Sequence, residues 1–106
     1  MTGYYKIETY VPTTHAAEVR AALAAAGAGK LGHYDSCVWE TTGTGRFRPL
    51  AGSHPFRGSV GDVEAVEEVK LETICPADRL DAVISALKQA HPYEVPAVYV
   101  METMVL

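Results

Sequence analysis

Apolar and polar residues alternate along four segments of the chain and recur at helical spacing in two others. The period of two from Tyr4 to Val11 is typical of a strand with one buried face, here Tyr5, Ile7, Thr9 and Val11. Similar patterns predict strands over 34–41, 66–75 and 98–103. Helices are predicted up to Ala26 and over about 77–89, because apolar residues there share one face. The two stripes are Ala16, Val19, Ala22, Leu23 and Ala26, then Leu80, Val83, Ile84 and Leu87.

The first strand and helix are repeated later in the chain at an offset of 64 residues. Tyr5–Pro12 reads YKIETYVP and Val69–Pro76 reads VKLETICP, and identities continue without a gap into both helices. A β-α-β unit present twice predicts a ferredoxin-like α+β sandwich, in which two helices cover one face of a four-stranded antiparallel sheet. The repeated strands then form the central pair. Their polar side chains should lie together on the uncovered face, which suits a subunit interface or solvent: Lys6, Glu8, Lys70 and Glu72.

Residues 43–61 differ in composition from the rest of the chain. The segment GTGRFRPLAGSHPFRGSVG contains five glycines, two prolines and three arginines, and it shows neither a strand nor a helix period. We therefore predict a long loop here, within a single domain that spans residues 1–106. A loop of this length in so small a domain is usually functional or mobile.

Composition excludes several classes of partner. The formal charge of −4 argues against nucleic acid, because phosphate binding needs a basic face. No apolar run approaches the roughly 20 residues that span a membrane, and the start of the sequence lacks a signal-peptide pattern, so we expect a cytoplasmic protein with no membrane partner. Cys37 and Cys75 are expected to be free thiols there, Cys75 in the core.

Two motifs indicate a family. The tail of the second helix reads AHPYEVPAVYV at 90–100, which resembles the CutA divalent-cation-tolerance proteins, trimeric relatives of the PII signalling proteins. The second motif runs from Gly32 to Gly58 and reads G-x-Y-x-x-C-x-W-x-x-x-G-x-G-x-F-R-P-L-x-G-x-x-P-F-x-G. This string resembles the PII/CutA-like insert domain of the YqfO proteins, the Nif-three-like dinuclear-metal family. The match covers essentially the whole chain.

The resemblance implies a PII/CutA-like homotrimer with a sensing, scaffolding or binding role. In the full-length family a larger domain supplies the paired metal site, and this sequence resembles the insert standing alone. The family's metal chemistry is therefore not carried over.

The candidate ligand-binding residues lie in the loop and after the second helix. Arg46, Arg48 and Arg57, spaced by glycines that expose backbone N–H groups, suit a small anionic ligand. Pairing of these arginines with the acidic residues at 62–68 is the alternative. In one interpretation His91 lies at the end of the helix and Glu94 accepts hydrogen bonds from loop amides. In the other, both residues contribute to a ligand or metal pocket at a subunit boundary.

A divalent or transition metal ion is the only cofactor that the residues suggest. His33, Cys37 and His54 are the candidate ligands. Because a strand rises ~3.3 Å per residue, His33 and Cys37 would be roughly 13 Å apart unless the chain bends near 32–34. Cys37 is otherwise interpreted as a small buried apolar residue.

The favoured function is therefore a cytoplasmic PII/CutA-like homotrimer that binds a small anionic ligand or a protein partner through its loops. The alternatives are a CutA-type metal-binding protein and a structural adaptor for a larger metalloprotein. No nucleophile, base and acid occur at a spacing that suggests catalysis, so we expect no enzymatic activity.

Overall fold

A computed structural model describes residues 3–106 as one four-stranded antiparallel sheet with two helices. The sheet order is β2-β3-β1-β4, with short 3₁₀ turns at Thr13–His15 and Ala77–Arg79 before the helices. The elements are β1 Tyr4–Pro12, α1 Ala16–Ala26, β2 Val38–Phe47, β3 Glu64–Pro76, α2 Leu80–Ala90 and β4 Val98–Thr103. This is the predicted ferredoxin-like arrangement. No helix of residues 3–106 is long and apolar enough to cross a membrane.

The core lies between the central strands and the two helices. Both predicted helical stripes contribute to it, and each fully buried Val, Ile or Leu side chain stabilises the fold by about 1.5–3 kcal/mol. Cys75 is completely buried, as predicted for a core residue, and Thr9 satisfies its hydroxyl by donating to the Ala97 carbonyl at 2.9 Å. The core cluster consists of Ile7, Val11, Val19, Leu23, Ala28, Leu71, Cys75, Val83 and Leu87.

The pairing of β1 with β3 reproduces the sequence repeat as a two-fold relation. Glu8 lies opposite Glu72, which is its own repeat equivalent 64 residues later, so the approximate axis passes through this pair. Directly opposed carboxylates destabilise a sheet, but two lysines offset the repulsion. Lys6 Nζ lies 2.9 Å from Glu72 Oε1 and 3.3 Å from Glu8 Oε2, and Lys70 Nζ lies 3.6 Å from Glu8 Oε1. The predicted grouping of these charges on the helix-free face is confirmed.

Two predicted boundaries were wrong. The second strand begins at Val38 rather than Tyr34, because Ser36 has a left-handed φ of 60° that interrupts extended backbone. It then continues to Phe47, where residues 43–47 pair with Glu64–Glu68. The irregular segment is therefore 48–63, and the first five residues of the predicted loop 43–61 belong to the sheet.

The predicted end of the first helix is confirmed. Gly27 adopts a φ of 113°, and its N–H donates to the Ala24 carbonyl while the Ala28 N–H donates to the Leu23 carbonyl. These two bonds form a Schellman cap, which favours glycine because other residues are strained at that φ. The second helix ends at Ala90 because extended backbone at His91 (ψ 133°) precedes Pro92.

The carboxylate of Glu72 should report on the charged cluster. The hydrogen bond from Lys6 lowers the pKa of Glu72, and Lys70 contributes less. Lys6→Gln should therefore raise the Glu72 pKa more than the matched change Lys70→Gln does, as measured by NMR titration of the side-chain carboxyl. A carboxyl whose folded pKa is depressed contributes stability that is complete above the unfolded value of about 4.3 and is lost as the pH falls through the folded pKa. Lys6→Gln should therefore also weaken the loss of stability at acid pH. Equal shifts in the two variants would contradict this geometry.

Candidate functional site

A cavity of about 400 Å³ lies where the helix-free face of the sheet meets the loop after β2. The sheet contributes Tyr10 from β1, Arg46 and Phe47 from the end of β2, Glu68 from β3 and Tyr99 from β4. The loop covers one side with Pro49, Ser53, Pro55, Phe56 and Arg57, and the segment after α2 closes another with Tyr93, Glu94, Val95 and Ala97.

Aromatic rings form much of the wall. Phe47 and Tyr93 meet edge to face with ring centroids 5.7 Å apart, and Phe56 lies 6.2 Å from Tyr93. Tyr10 and Tyr99 form a second edge-to-face pair at 6.1 Å. Such pairs fix ring positions and leave apolar faces available to a ligand. Through their contacts with Tyr93, Phe47 and Phe56 connect the end of β2 and the loop to the segment after α2.

Tyr93 joins the segment after α2 to the sheet. Its hydroxyl donates a 2.6 Å hydrogen bond to Glu68 Oε2, and Glu68 is only 8% exposed. Burial, together with the hydrogen bond and charge of Glu68, raises the pKa of Tyr93, so the phenol stays protonated. The Glu68 carboxylate lies against Gly45 of β2, where any Cβ would collide with it. Glycine at position 45 therefore makes room for the buried carboxylate.

Both ring nitrogens of His91 are bonded within the protein. It is 6% exposed, and its Nε2 donates to the Tyr10 carbonyl at 2.8 Å. Its Nδ1 accepts the Tyr93 N–H at 3.2 Å. Since a carbonyl only accepts and an amide N–H only donates, these bonds fix the neutral tautomer. Burial lowers the pKa of His91, although the Tyr10 carbonyl and the Glu68 charge oppose the shift.

Glu94 holds the loop over the cavity. Its Oε1 accepts a 3.0 Å hydrogen bond from the backbone N–H of His54, which agrees with the expectation that Glu94 accepts from loop amides. A second contact fixes the same loop, since the Phe56 ring packs edge to face on His15 at 5.3 Å between centroids. The loop is thus attached both to the segment after α2 and to the turn before α1.

The structure separates the three candidate arginines. Arg46 and Arg57 line the cavity, whereas Arg48 is exposed and does not. Within residues 3–106, none of the three has an acidic partner within 4.0 Å, so the alternative of pairing with residues 62–68 is not what the structure shows. Guanidinium groups exposed to a cavity in this way are suited to bind carboxylate or phosphate oxygens.

The predicted metal ligands do not converge. Across residues 3–106 no group of three or more His, Cys, Asp or Glu side chains is arranged to hold a metal ion. His33 lies in the turn closed by the Leu31–Tyr34 bridge, and Cys37 borders a different hollow between α1 and β2. The backbone of His54 is attached to Glu94 instead. Within residues 3–106, His33, Cys37 and His54 are not grouped as ligands of one ion, and metal binding by these residues stays a prediction.

Sequence reasoning missed the contribution of the sheet to the cavity. Tyr10, Glu68 and Tyr99 line it, but only the last segment and the loop were proposed as ligand-binding. The strand period contained the signal, since Glu68, Lys70 and Glu72 alternate on one face of β3, opposite the core residues Leu71 and Thr73. Glu68 was grouped instead with the acidic residues at 62–68, as a possible partner of the loop arginines.

Comparison with known proteins finds sequence relatives that share one name. The chain is 46% identical over 93 residues to the GTP cyclohydrolase 1 type 2 homolog of Halalkalibacterium halodurans, which covers 88% of this chain and 25% of the relative. It is 50% identical over 88 residues to the protein of the same name from Mycobacterium leprae, covering 83% of this chain and 23% of the relative. The chain thus spans about a quarter of the length of the curated relatives it matches. No family model matches it.

Solved structures agree with the fold. A Bacillus cereus protein related to NIF3 superimposes with a TM-score of 0.83 at 44% identity over 96% of this chain and 26% of that one. CutA1 from Shewanella sp. SIB1 superimposes with a TM-score of 0.69 at 18% identity over 98% of this chain and 84% of that one. The second likeness concerns the fold alone.

The fold is a PII/CutA-like α+β sandwich. Most of the chain is similar in sequence to about a quarter of relatives named GTP cyclohydrolase 1 type 2 homolog, and similar in sequence and structure to part of a protein related to NIF3.

The buried neutral imidazole predicts a specific pH dependence. Because the folded pKa of His91 is below the unfolded value of about 6.5, its contribution to stability is complete above that pH and is lost as the pH falls through the folded pKa. Urea unfolding between pH 5 and 8 should show a flatter pH profile for His91→Gln than for the wild type. His33→Gln, which changes an exposed histidine, should keep the wild-type slope. If the stability of His91→Gln depended on pH as strongly as that of the wild type, the assignment of a buried neutral imidazole would be contradicted.

The Tyr93–Glu68 hydrogen bond should contribute measurably to stability. Tyr93→Phe leaves a mostly buried carboxylate without its donor, and we expect a loss of about 1–3 kcal/mol in the free energy of unfolding. Tyr99→Phe removes a hydroxyl from a 55% exposed tyrosine of the same cavity and should change stability by less than about 0.5 kcal/mol. Denaturant titration of both variants provides the measurement, and equal losses would show that the hydrogen bond is not responsible.

Proposed function

We propose that this domain is a cytoplasmic, homotrimeric ligand-binding module of PII/CutA type, and that its regulatory ligand occupies the cavity between the loop and the sheet. The observation that carries the proposal is the cavity itself, in which Arg46 and Arg57 stand among aromatic rings without acidic partners in residues 3–106. Ligand sites typically combine apolar walls with a few polar groups that fix orientation.

Assembly is supported by the helix-free face of the sheet. Trp39 on β2 and Tyr99 on β4 lie in one row with Glu72 and Glu8 between them, and they are 69% and 55% exposed. Met101 follows on β4 at 41% exposure. Exposed large apolar side chains around a charged centre are typical of an interaction surface, and copies of the same chain are the proposed occupant.

The proposed role is binding rather than catalysis. The relatives are named GTP cyclohydrolase 1 type 2 homologs, but this chain corresponds to about a quarter of each, and an activity of the whole relative is not assigned to it. The absence of enzymatic activity in this domain stays a prediction.

Native mass spectrometry of untagged protein, purified without chelator, tests the proposal. We expect a trimer that carries additional small-molecule mass. Because charge-assisted hydrogen bonds to Arg46 and Arg57 should hold the ligand, the variant Arg46→Gln/Arg57→Gln should remain trimeric and lose that mass. The matched variant Arg48→Gln should keep it, since Arg48 lies outside the cavity.

Four results would contradict different parts of the proposal. A monomer would remove the homotrimer. A bare wild-type trimer would favour the adaptor role, and an added mass that equals a metal ion would favour the divalent-cation role named for the CutA proteins. An adduct that survives in the double variant would place the ligand elsewhere.

A further inference from the structure

Four charged side chains line the cavity, two of each sign. Arg46 and Arg57 are positive, and Glu68 and Glu94 are negative. No arginine–glutamate pair among them comes within 4.0 Å in the described chain, residues 3–106. The charges of the wall are thus balanced overall but not neutralised by direct contact. A cavity of this kind is complementary to a molecule that itself carries both charges.

The two carboxylates are not equally available. Glu68 is 8% exposed, and its Oε2 accepts the Tyr93 hydroxyl while its Oε1 lies against Gly45. Glu94 is exposed and uses Oε1 to accept the His54 N–H, which leaves Oε2 for another donor. Glu94 is therefore the carboxylate that a bound cation can reach.

The positive groups border the aromatic wall. Arg46 and Phe47 are consecutive in β2, Arg57 follows Phe56 in the loop, and all four residues line the cavity. The charge of Arg57 also acts on the Tyr93 hydroxyl, which places it near the third ring of the group. A ligand carboxylate bound by Arg57 would thus have its apolar part beside Phe47, Phe56 and Tyr93.

We infer that the ligand is a free α-amino acid with an aromatic side chain, bound with its carboxylate at Arg57, its ammonium at Glu94 and its ring among Phe47, Phe56 and Tyr93. This inference rests on the proposed ligand-binding function and specifies its ligand class. The cavity of about 400 Å³ falls at the small end of ligand pockets, which span roughly 300–1,000 Å³. A phosphate dianion fits less well because Glu94 and Glu68 repel it, and a simple carboxylic acid leaves Glu94 without a cation.

Isothermal titration calorimetry with matched probes tests the ligand class. L-Phenylalanine carries both charges, 3-phenylpropionate lacks the ammonium and 2-phenylethylamine lacks the carboxylate. A hydrogen bond to a charged group contributes enough to change affinity by at least about tenfold. We therefore expect L-phenylalanine to bind at least about tenfold more tightly than either analogue, and more tightly than inorganic phosphate.

Two conservative variants test which residue binds the ammonium of the ligand and which binds its carboxylate. Glu94→Gln keeps an acceptor oxygen for the His54 N–H but removes the charge, so it should abolish the advantage of L-phenylalanine over 3-phenylpropionate. Arg57→Gln should abolish the higher affinity of L-phenylalanine relative to 2-phenylethylamine. Arg48→Gln, which changes an arginine of the same segment outside the cavity, should bind like the wild type. Circular dichroism melting checks that each variant is folded.

The inference is overturned if L-phenylalanine binds no more tightly than both analogues, if none of the probes binds at millimolar concentration, or if Glu94→Gln leaves the preference unchanged. Tighter binding of 3-phenylpropionate or of phosphate would identify a simple anion as the ligand class instead. These results are separable from failure of the proposed function, because small-molecule mass lost only from the Arg46→Gln/Arg57→Gln trimer would still show a ligand in the cavity.

Discussion

The antiparallel pairing of β1 with β3 is the constraint on which the rest of the structure depends. Its register sets Glu8 opposite Glu72 and makes the sequence repeat a two-fold relation in space. The same register puts Ile7 and Leu71 under the helices and leaves the charged cluster on the other face. At the far end of the pair, Pro12 lies opposite Glu68, whose side chain lines the cavity.

The segment after α2 connects this sheet to the loop, and each of its three polar side chains bonds a different element. His91 donates to β1, Tyr93 to β3, and Glu94 accepts from the loop. Within this motif, the contacts of His91 therefore agree with the structural interpretation, and those of Glu94 also allow the functional one. His91 uses both ring nitrogens within the protein, whereas Glu94 keeps one oxygen facing a cavity that also contains Arg57. The residues that shape the cavity also fix the loop that covers it.

The fold could be predicted from the sequence because the repeat and the helical stripes are local patterns that determine which strands pair and which helix faces pack on the sheet. The end of α1 at Gly27 and the grouping of Lys6 with Glu72 follow from them. The start of β2 was missed because a positive φ at Ser36 has no sequence signal as strong as glycine. Its end was missed because Gly43 and Gly45 indicate a loop, although Gly45 accommodates Glu68 in the sheet. Of the residues predicted to bind a ligand, Arg46, Arg57 and Glu94 line the cavity, but its far wall depends on tertiary proximity that the sequence does not reveal.

The central claim is that the cavity between the loop and the helix-free face holds a small molecule. Backbone amide NMR of isotope-labelled protein, titrated separately with L-phenylalanine and 3-phenylpropionate, tests it most directly because it locates any binding without assuming a residue. We expect the largest changes in amide chemical shift on residues 49–57, including the His54 amide bonded to Glu94, and on residues 93–97. Shift changes confined to the helices, or none in either titration, would contradict it.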